Sequence, residues 1–185
     1  MKIEALELEG AYSIQPKLIQ DARGFFLEWL NLDKFNQATG QNFQISQLNN
    51  SRSSKGVLRG LHYQLNPCAQ SKLVGATAGV IQDVIVDIRQ GSKTYGKSAS
   101  FILDAEKKNQ LFVPQGFAHG FLVLSEMAEI FYAVDNPYSP EHDCGINYSD
   151  PSLQITWELD SDKIQVSDKD RSLKNLIDAQ NNFEI

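Results

Sequence analysis

Short apolar stretches recur along the whole chain, and most of them have the length of a β-strand. They are rich in β-branched and aromatic residues, and turn residues separate them. The predicted strands cover residues 18–19, 25–29, 43–48, 57–64, 73–78, 80–89, 98–103, 110–113, 120–124 and 129–134. Turn sequences such as Pro114-Gln115-Gly116 supply a fixed or positive φ between strands. The pattern favours a protein built mainly from short strands.

Helical periodicity is limited to two short segments. The first runs from Asp33 to Thr39 and stops at Gly40, and the second follows Ser167 through residues 168–178, where acidic residues favour a helix N-terminus. No βαβ spacing links the strands, so we expect an antiparallel sandwich or barrel, and we favour a jelly roll with an open mouth. The prediction is an all-β jelly-roll sandwich with short peripheral helices, in a single domain over residues 1–185.

The charge balance argues against a nucleic-acid partner. The 185 residues carry 17 Lys and Arg against 23 Asp and Glu, which gives a formal net charge of −6, and 42% of the chain is hydrophobic. This is the composition of an ordinary globular protein. The basic residues are spread singly, so no basic stripe is available to neutralise a phosphate backbone.

Targeting and membrane signals are not expected in this chain. Acidic residues occur near the N-terminus, where a signal peptide needs an uninterrupted apolar stretch. The most apolar later run, residues 80–88, is broken by Asp83 and Asp87, which a membrane span would not tolerate. We therefore expect a soluble, cytoplasmic protein.

The densest cluster of unusual residues lies at positions 47–64 and contains Arg59 and His62. Strict pleating would put these two side chains on opposite faces of a strand. A bulge at Gly60 would bring both to one side, and glycine bulges are common near active sites. The structural alternative is a hydrogen-bonded core histidine and a cation at the rim, and these residues alone favour that alternative because buried polar residues are often structural.

A second cluster, Pro114-Gln-Gly-Phe-Ala-His119, has the pattern of the second half of the cupin jelly-roll signature. The first half of that signature normally carries H-x-H followed by a glutamate. Here the corresponding segment reads His62-Tyr63-Gln64, with Cys68 and Ala69 where the carboxylate would fall. Two histidines without a carboxylate are too few for a facial-triad iron or a catalytic zinc, so no metal site is predicted.

Several long motifs follow one another in a recognisable order. They are Asp21-Ala-Arg23-Gly24-Phe25-Phe26-Leu27-Glu28, Gly56-Val-Leu-Arg59-Gly60-Leu-His62-Tyr-Gln64, Gln70-Ser-Lys72, Asp83-Val-Ile-Val-Asp87-Ile-Arg89, Pro114-Gln-Gly-Phe-Ala-His119 and Ser167-Asp-Lys169-Asp170. In these motifs the chain closely resembles the dTDP-4-dehydrorhamnose 3,5-epimerase family, and the resemblance extends over most of its length. It implies a cupin-type jelly roll that acts on a dTDP-linked 4-keto-6-deoxy sugar without a metal or other cofactor.

The resemblance also implies a set of catalytic residues. His62 would be the base, with Asp170 fixing the imidazole tautomer. Tyr132 would be the acid on the opposite face of the sugar, and Lys72 the cation beside the developing enolate oxygen. Taken singly, these residues favour a structural interpretation, with Tyr132 as a core aromatic, Lys72 as a solvated lysine and Asp170 as a helix N-terminal acid. Their joint occurrence at the family's positions favours the catalytic one.

Further residues are implied as substrate contacts. The resemblance assigns substrate binding to Arg23, Glu28, Gln47, Asn49, Arg59, His119, Tyr138, Asp143 and Lys169. Arg23 and Arg59 would hold the diphosphate, Tyr138 would stack on the thymine, and Lys169 would help to hold the nucleotide. His119 would lie at the sugar end of the pocket, and a bond from it to Asp83 is nearly as well favoured. Asp143 stands where many members have glutamate, which changes the reach of that contact.

The family context implies a homodimer that acts in dTDP-L-rhamnose synthesis. The nearest alternative is a relative that epimerises only C3 or only C5, because such an enzyme keeps much of the same pocket. Another is a cupin that binds a nucleotide sugar without catalysis, which would need Arg23 and Arg59 but neither His62 nor Tyr132. A metal-dependent cupin oxygenase is the least favoured alternative.

Overall fold

Two antiparallel β-sheets face each other in the computed structural model, which describes residues 1–185. The strands are β1 (Lys2–Ala5), β2 (Tyr12–Gln15), β3 (Leu18–Asp21), β4 (Gly24–Leu27), β5 (Gln47–Ser54), β6 (Leu58–Gln64), β7 (Lys72–Ala78), β8 (Val80–Asp87), β9 (Ser98–Asp104), β10 (Gln110–Val113), β11 (Phe117–Val123), β12 (Met127–Val134) and β13 (Asp143–Gly145). One sheet has the order β1-β2-β10-β7-β12-β5 and the other β13-β6-β11-β8-β9. The expected all-β jelly-roll sandwich is confirmed.

The main core lies between the two sheets. Ile85 on β8 and Phe121 on β11 come from one sheet, Leu111 on β10 and Ile130 on β12 from the other, and all four are buried in one cluster. Apolar burial of this kind contributes roughly 25 cal/mol per Å² removed from water. The sandwich is therefore held together along its length by contacts between its inner faces.

Each sheet is also covered on its outer face. The helix α1 (Leu32–Thr39) packs on the six-stranded sheet, where Phe35 contacts Phe112. On the five-stranded sheet, Ile88 is buried in one cluster with Leu153 and Phe183 of the C-terminal part of the chain. Because β11 lies in the middle of a sheet that is covered on both faces, every one of its residues is buried, and all except His119 are apolar or glycine.

The first predicted helix is confirmed to within one residue. Asn31 caps α1 by accepting a hydrogen bond from the Lys34 N–H at 3.1 Å, and Gly40 ends it with φ at +71°. The second helix, α2, covers only Asp168–Arg171, so the predicted extent to residue 178 was wrong. No helix in the structure is both long and apolar enough to cross a membrane.

The second helix stops early because the following backbone pairs with another loop. The Lys174 carbonyl accepts a hydrogen bond from the Asn147 N–H at 2.8 Å, and the Leu176 N–H donates to the Asp150 carboxylate at 2.7 Å. The segment returns to a single 3-10 turn at Leu176–Asp178. These long-range bonds replace the helical bonds that the local sequence favours.

The largest error in the predicted strands concerns residues 43–48. Phe43 is buried beneath α1, and β5 begins only at Gln47 and continues through a polar stretch to Ser54. The sequence pattern is misleading because one face of β5 lines a polar cavity rather than the core. Strands β1, β2 and β13, each three or four residues long, were not predicted.

The hairpin β3–β4 stands apart from both sheets. Its strands pair only with each other, and it exposes Ile19, Phe25 and Phe26, whose exposed fractions are 55%, 55% and 68%. Ile19 and Phe26 are paired directly across the hairpin, and exposed apolar groups that cluster in this way mark interaction surfaces in many proteins. The hairpin is therefore a candidate contact surface.

Candidate active site

A cavity of about 490 Å³ opens between the two sheets, and the candidate catalytic residues surround it. The five-stranded sheet contributes His62 on β6 and His119 on β11, and the six-stranded sheet contributes Lys72 on β7 and Tyr132 on β12. Asp170 enters from α2. The four residues predicted to carry catalysis therefore lie around one cavity, together with His119.

A second cavity of about 390 Å³ adjoins the first. Both cavities are lined by His62, Lys72, Tyr132 and Lys169, so they form one continuous cleft. The second cavity adds four residues expected to bind substrate, namely Gln47, Asn49, Tyr138 and Asp143. A cleft of this combined size is typical of small-molecule sites.

The bulge predicted at Gly60 is present. His62 pairs with His119 and Arg59 with Phe121, so three steps along β6 match two along β11. This irregularity places Arg59 and His62 in the same cavity. Gly60 has φ at +127°, and a Cβ there would lie 2.6 Å from the Gly120 Cα, so the close approach of the two strands requires glycine.

His62 and Asp170 form a hydrogen-bonded pair. The imidazole Nε2 lies 2.7 Å from the Asp170 Oδ1, and the other carboxylate oxygen accepts the Gly60 N–H at 3.2 Å. Burial raises the pKa of Asp170, but hydrogen bonds from His62 and Gly60 outweigh it and hold the pKa below its ordinary value. Because an ionised carboxylate only accepts hydrogen bonds, Nε2 carries the hydrogen and Nδ1 is left as the basic nitrogen.

His119 makes a second pair of the same kind. Its Nε2 lies 3.0 and 2.9 Å from the two carboxylate oxygens of Asp83, which is fully buried. His119 also lines the first cavity. The structure thus combines both placements expected for His119, a bond to Asp83 and a position in the pocket wall.

Lys72 and Tyr132 are both desolvated. Burial lowers the pKa of Lys72 to about 8, against the opposing charges of Asp83 and Asp143, and its Nζ donates to the His62 carbonyl at 3.4 Å. Burial raises the pKa of Tyr132, while the positive charge of Arg59 partly opposes that shift. At neutral pH the lysine is therefore cationic and the phenol is protonated.

Arg59 is anchored by a serine on the facing sheet. Its Nε and Nη2 donate to the Ser53 Oγ at 3.2 and 3.0 Å, across from β6 to β5. Both bonds use one edge of the guanidinium. The remaining N–H groups of the planar guanidinium are free to bind two oxygens of an anion such as a phosphate.

In the second cavity, Asp143 connects α2 to the loop after β12. Its Oδ2 accepts from the Lys169 Nζ at 2.5 Å and from the Tyr138 hydroxyl at 2.9 Å, and these bonds raise the pKa of both donors. Gln47 donates to Asn49 at 2.7 Å and accepts the Tyr138 N–H at 3.0 Å. The polar residues at this end of the cleft therefore form one connected network.

Two of the expected substrate contacts lie outside the cleft. Arg23, at the turn of the hairpin β3–β4, pairs with Asp21 at 2.6 Å with its side chain 90% exposed. Glu28 pairs with Lys34 at 3.0 Å. Neither Arg23 nor Glu28 lines the cavities of its own chain.

Comparison with known proteins identifies the family of the chain that carries this cleft. Residues 5–178 match the dTDP-4-dehydrorhamnose 3,5-epimerase family. The chain belongs to this family. A dTDP-4-dehydrorhamnose 3,5-epimerase from Shigella flexneri is 45% identical over 179 residues, which covers 97% of this chain and 98% of the relative.

Solved structures of epimerases superpose closely on the whole chain. A dTDP-4-dehydrorhamnose 3,5-epimerase from Elizabethkingia anophelis has a TM-score of 0.93 and 43% identity, covering 96% of this chain and 97% of that one. A dTDP-6-deoxy-D-glucose-3,5-epimerase from Legionella pneumophila, in complex with dTDP-4-keto-L-rhamnose, has a TM-score of 0.91 and 44% identity, with coverage of 95% and 93%. The jelly-roll fold is thus common to this chain and these epimerases.

The cleft of this epimerase-family chain contains residues to which the sequence analysis assigned no role in the site. Ser51 and Ser167 line the first cavity, and Ser53 holds Arg59 from behind. Asn49, Ser51 and Ser53 lie at every second position of β5 and so share one face of the strand. This periodicity is the one feature of the sequence that could have identified the two serines. No three His, Cys, Asp or Glu side chains converge in a way that could hold a metal ion.

Proposed function

We propose that this chain epimerises dTDP-4-dehydro-6-deoxy-D-glucose at C3 and C5, and so produces dTDP-4-dehydro-L-rhamnose in dTDP-L-rhamnose synthesis. One observation carries the proposal: His62 and Tyr132 come from opposite sheets and face the same cavity. Inversion at a carbon requires proton removal on one face and proton return on the other. A base and an acid on facing walls meet this requirement.

The ketone at C4 makes both neighbouring carbons acidic. Loss of a proton from C3 or C5 leaves an enolate, whose charge lies mainly on the former keto oxygen. The chain must therefore supply a base, a positive charge near that oxygen, and an acid. Each of these has a candidate in the cleft.

His62 is the proposed base. The Nδ1 takes the proton from carbon, and the Asp170 carboxylate stabilises the imidazolium through the bond to Nε2. The Asp170 carboxylate is itself held by the Gly60 N–H, so the orientation of the ring is determined before substrate binds. A positioned general base typically accelerates a reaction about 10²- to 10⁴-fold.

Lys72 and Tyr132 complete the reaction. The Lys72 ammonium stabilises the enolate oxygen, an effect typically worth about 3–4 kcal/mol in a desolvated site. Tyr132 then gives its phenolic proton to the opposite face of the carbon and becomes a phenolate. Both groups exchange protons with solvent, after which the same pair acts on the second carbon.

The nucleotide part of the substrate occupies the rest of the cleft in this proposal. Arg59 binds the diphosphate with the N–H groups that Ser53 leaves free. Lys169 adds positive charge on the same side, and Tyr138 offers its ring to the thymine. His119 contacts the sugar while it remains bonded to Asp83.

We also propose that two copies of the chain form the active unit. Arg23 and Glu28 lie on or beside the exposed hairpin β3–β4, away from the cleft of their own chain. Docking of this hairpin on a second copy would bury Phe25 and Phe26, which are 55% and 68% exposed in one chain. The same docking would carry Arg23 to the partner's nucleotide and complete the diphosphate site.

Complementation between two variants tests this arrangement. Arg23→Ala and His62→Ala chains are prepared separately, then mixed under conditions that exchange subunits. If Arg23 acts across the dimer, the mixed dimer has one intact site, and kcat/KM rises well above that of either variant. If Arg23 acts within its own chain, every site in the mixture stays defective, and that result rejects the shared site.

Proton NMR in D₂O tests the reaction itself. The purified chain is incubated with dTDP-4-dehydro-6-deoxy-D-glucose, and deuterium is located in the product. Label at both C3 and C5 of an L-rhamno product supports the double epimerase. Label at only one carbon would reject the double epimerase in favour of an enzyme that acts at C3 or C5 alone. Binding of the nucleotide sugar without any label would indicate a non-catalytic nucleotide-sugar-binding protein.

A further inference from the structure

The strand β5 presents a polar face to the interior of the sandwich. Residues alternate along it, so that Gln47, Asn49, Ser51 and Ser53 face inward and are more buried than their neighbours, whereas Leu48, Asn50, Arg52 and Ser54 are exposed. An inner face in a sandwich normally carries apolar residues. Four polar residues in a row therefore indicate a face shaped for a ligand.

Three of these four side chains have hydrogen-bond partners in the chain. Gln47 bonds to Asn49 at 2.7 Å, and the Ser53 Oγ accepts from Arg59. The Ser51 Oγ is buried and has no partner. Such groups are rare in native proteins, because an unpaired buried hydroxyl costs stability.

The position of Ser51 shows which part of a ligand it can reach. Ser51 lines the first cavity but not the second, and its cross-strand neighbour is the apolar Ile130. Two residues further along the same face, about 7 Å away, lies Ser53 with the guanidinium of Arg59. Ser51 therefore lies between the Tyr132 side of the cavity and the Arg59 cation.

We infer that the Ser51 hydroxyl donates a hydrogen bond to the diphosphate of the bound nucleotide sugar, beside Arg59. The inference rests on the proposed function, because it takes the diphosphate site from there. A phosphate oxygen is a strong charged acceptor, and a serine hydroxyl reaches it from one of three staggered χ1 positions. The two serines then have different roles: Ser51 touches the substrate, while Ser53 is a positioning residue for Arg59.

The test compares three serine substitutions on one strand. Ser51→Ala removes the hydroxyl proposed to donate to the diphosphate, and Ser53→Ala removes the hydroxyl that holds Arg59. Ser54→Ala is the matched control, because it removes an exposed hydroxyl from the opposite face of β5. Binding of dTDP is measured by calorimetry, and binding of thymidine, which lacks the diphosphate, by ligand-observed NMR. Melting temperature and steady-state kinetics are recorded for each variant.

Ser51→Ala is expected to raise the Kd for dTDP about 10- to 100-fold, the usual effect of one hydrogen bond to a charged group. Thymidine binding stays unchanged, and the melting temperature does not fall because no bond within the protein is lost. KM rises while kcat changes little, since the contact is present in both ground and transition states. Ser54→Ala behaves like wild type in every measurement.

Three results would overturn the inference. The first is wild-type affinity for dTDP in Ser51→Ala, whatever its melting temperature. The second is a defect confined to the full nucleotide sugar, which would assign Ser51 to the sugar instead. The third is an equal loss of dTDP and thymidine binding. Failure of the proposed function looks different, because the wild-type chain itself would then leave the 4-keto sugar unchanged while the dTDP comparison can still be made.

Discussion

His62 and His119 lie directly opposite each other in the antiparallel pairing of β6 with β11, and each is bonded to its own buried carboxylate. The two carboxylates are not equally supported. Asp170 also accepts the Gly60 N–H, whereas His119 contacts both oxygens of Asp83. The His62 side chain is 31% exposed and that of His119 only 9%. His62 is therefore accessible to a molecule in the cavity, whereas His119 is mostly enclosed in the cavity wall.

The first prediction concerns the stability of these two pairs. His119→Ala leaves the Asp83 charge buried without its partner, and breaking a buried pair in this way typically costs about 3–5 kcal/mol. His62→Ala should cost clearly less, because Asp170 keeps the Gly60 N–H. Urea denaturation measures both values. Adding Asp83→Asn to His119→Ala should recover part of the loss, and equal losses in the two single variants would contradict this account.

The second prediction concerns the base. His62→Ala should abolish both exchange of substrate protons with D₂O and formation of epimerised product. The Kd for dTDP should stay close to that of wild type, because Arg59 is held in place by Ser53 and not by a hydrogen bond from His62. NMR exchange and calorimetry measure the two properties on the same sample. Solvent exchange at the wild-type rate would assign the base to another residue.

The third prediction separates the acid from the base. Tyr132→Phe keeps His62 in place, so proton removal continues, while return of a proton to the opposite face becomes slow. Product formation should fall much further than solvent exchange. The melting temperature should not fall, because the Tyr132 hydroxyl makes no hydrogen bond within the chain and phenylalanine keeps the packing of the ring against the main core. Wild-type turnover in this variant would make Tyr132 a packing residue only.

The fourth prediction concerns the pH dependence that Lys72 imposes. The Lys72 pKa is about 8, so the ammonium is charged below that pH and loses its charge above it. In wild type, kcat/KM should therefore decline as the pH rises through about 8. Lys72→Met should lower kcat/KM at neutral pH by about 10²- to 10³-fold and remove this alkaline decline. A decline that persists in Lys72→Met would assign it to another group.

Lys72 should also reduce the stability of the fold. Its pKa of about 8 in the folded chain lies below the value near 10.4 of an unfolded lysine. Holding the charge in the cavity is therefore unfavourable at pH 7, and Lys72→Met should raise the melting temperature. Between about pH 8 and 10.4 Lys72 is protonated in the unfolded chain but largely neutral in the folded one. The free energy of unfolding of wild type therefore rises with pH relative to that of Lys72→Met, and the difference in stability between the two proteins becomes smaller. A stability difference that does not change with pH would mean that the variant is more stable because methionine packs better, and not because a buried charge has been removed.

Much of the strand pattern was predictable from local sequence. Strand β8 was recognised from an apolar run, and α1 from its spacing and the glycine at its end. Strand β5 was placed too early, because its inner face is polar where it lines the cavity. Local patterns identify an element when its surroundings are core and water, and they mislead where the surroundings are a binding cleft.

The candidate site was likewise predictable from the sequence only in part. The family resemblance singled out His62, Lys72, Tyr132 and Asp170, and the structure places all four around one cavity. Ser51 and Ser53 escaped notice, because serine in a strand carries no signal of its own. Arg23 and Glu28 were grouped with the cleft by resemblance, although in a single chain they lie outside it.

The sequence by itself determined the class of fold, the family and the chemical types available for catalysis, because these depend on residue identity and short-range order. Only the tertiary structure decided which side chains meet. His62 and Asp170 are 108 positions apart and touch because α2 docks against β6. His62 and Tyr132 line the cavity from opposite sides because β6 and β12 belong to opposite sheets, and their separation is set by how the two sheets pack. Such distances depend on burial summed over the whole sandwich, which no local pattern contains.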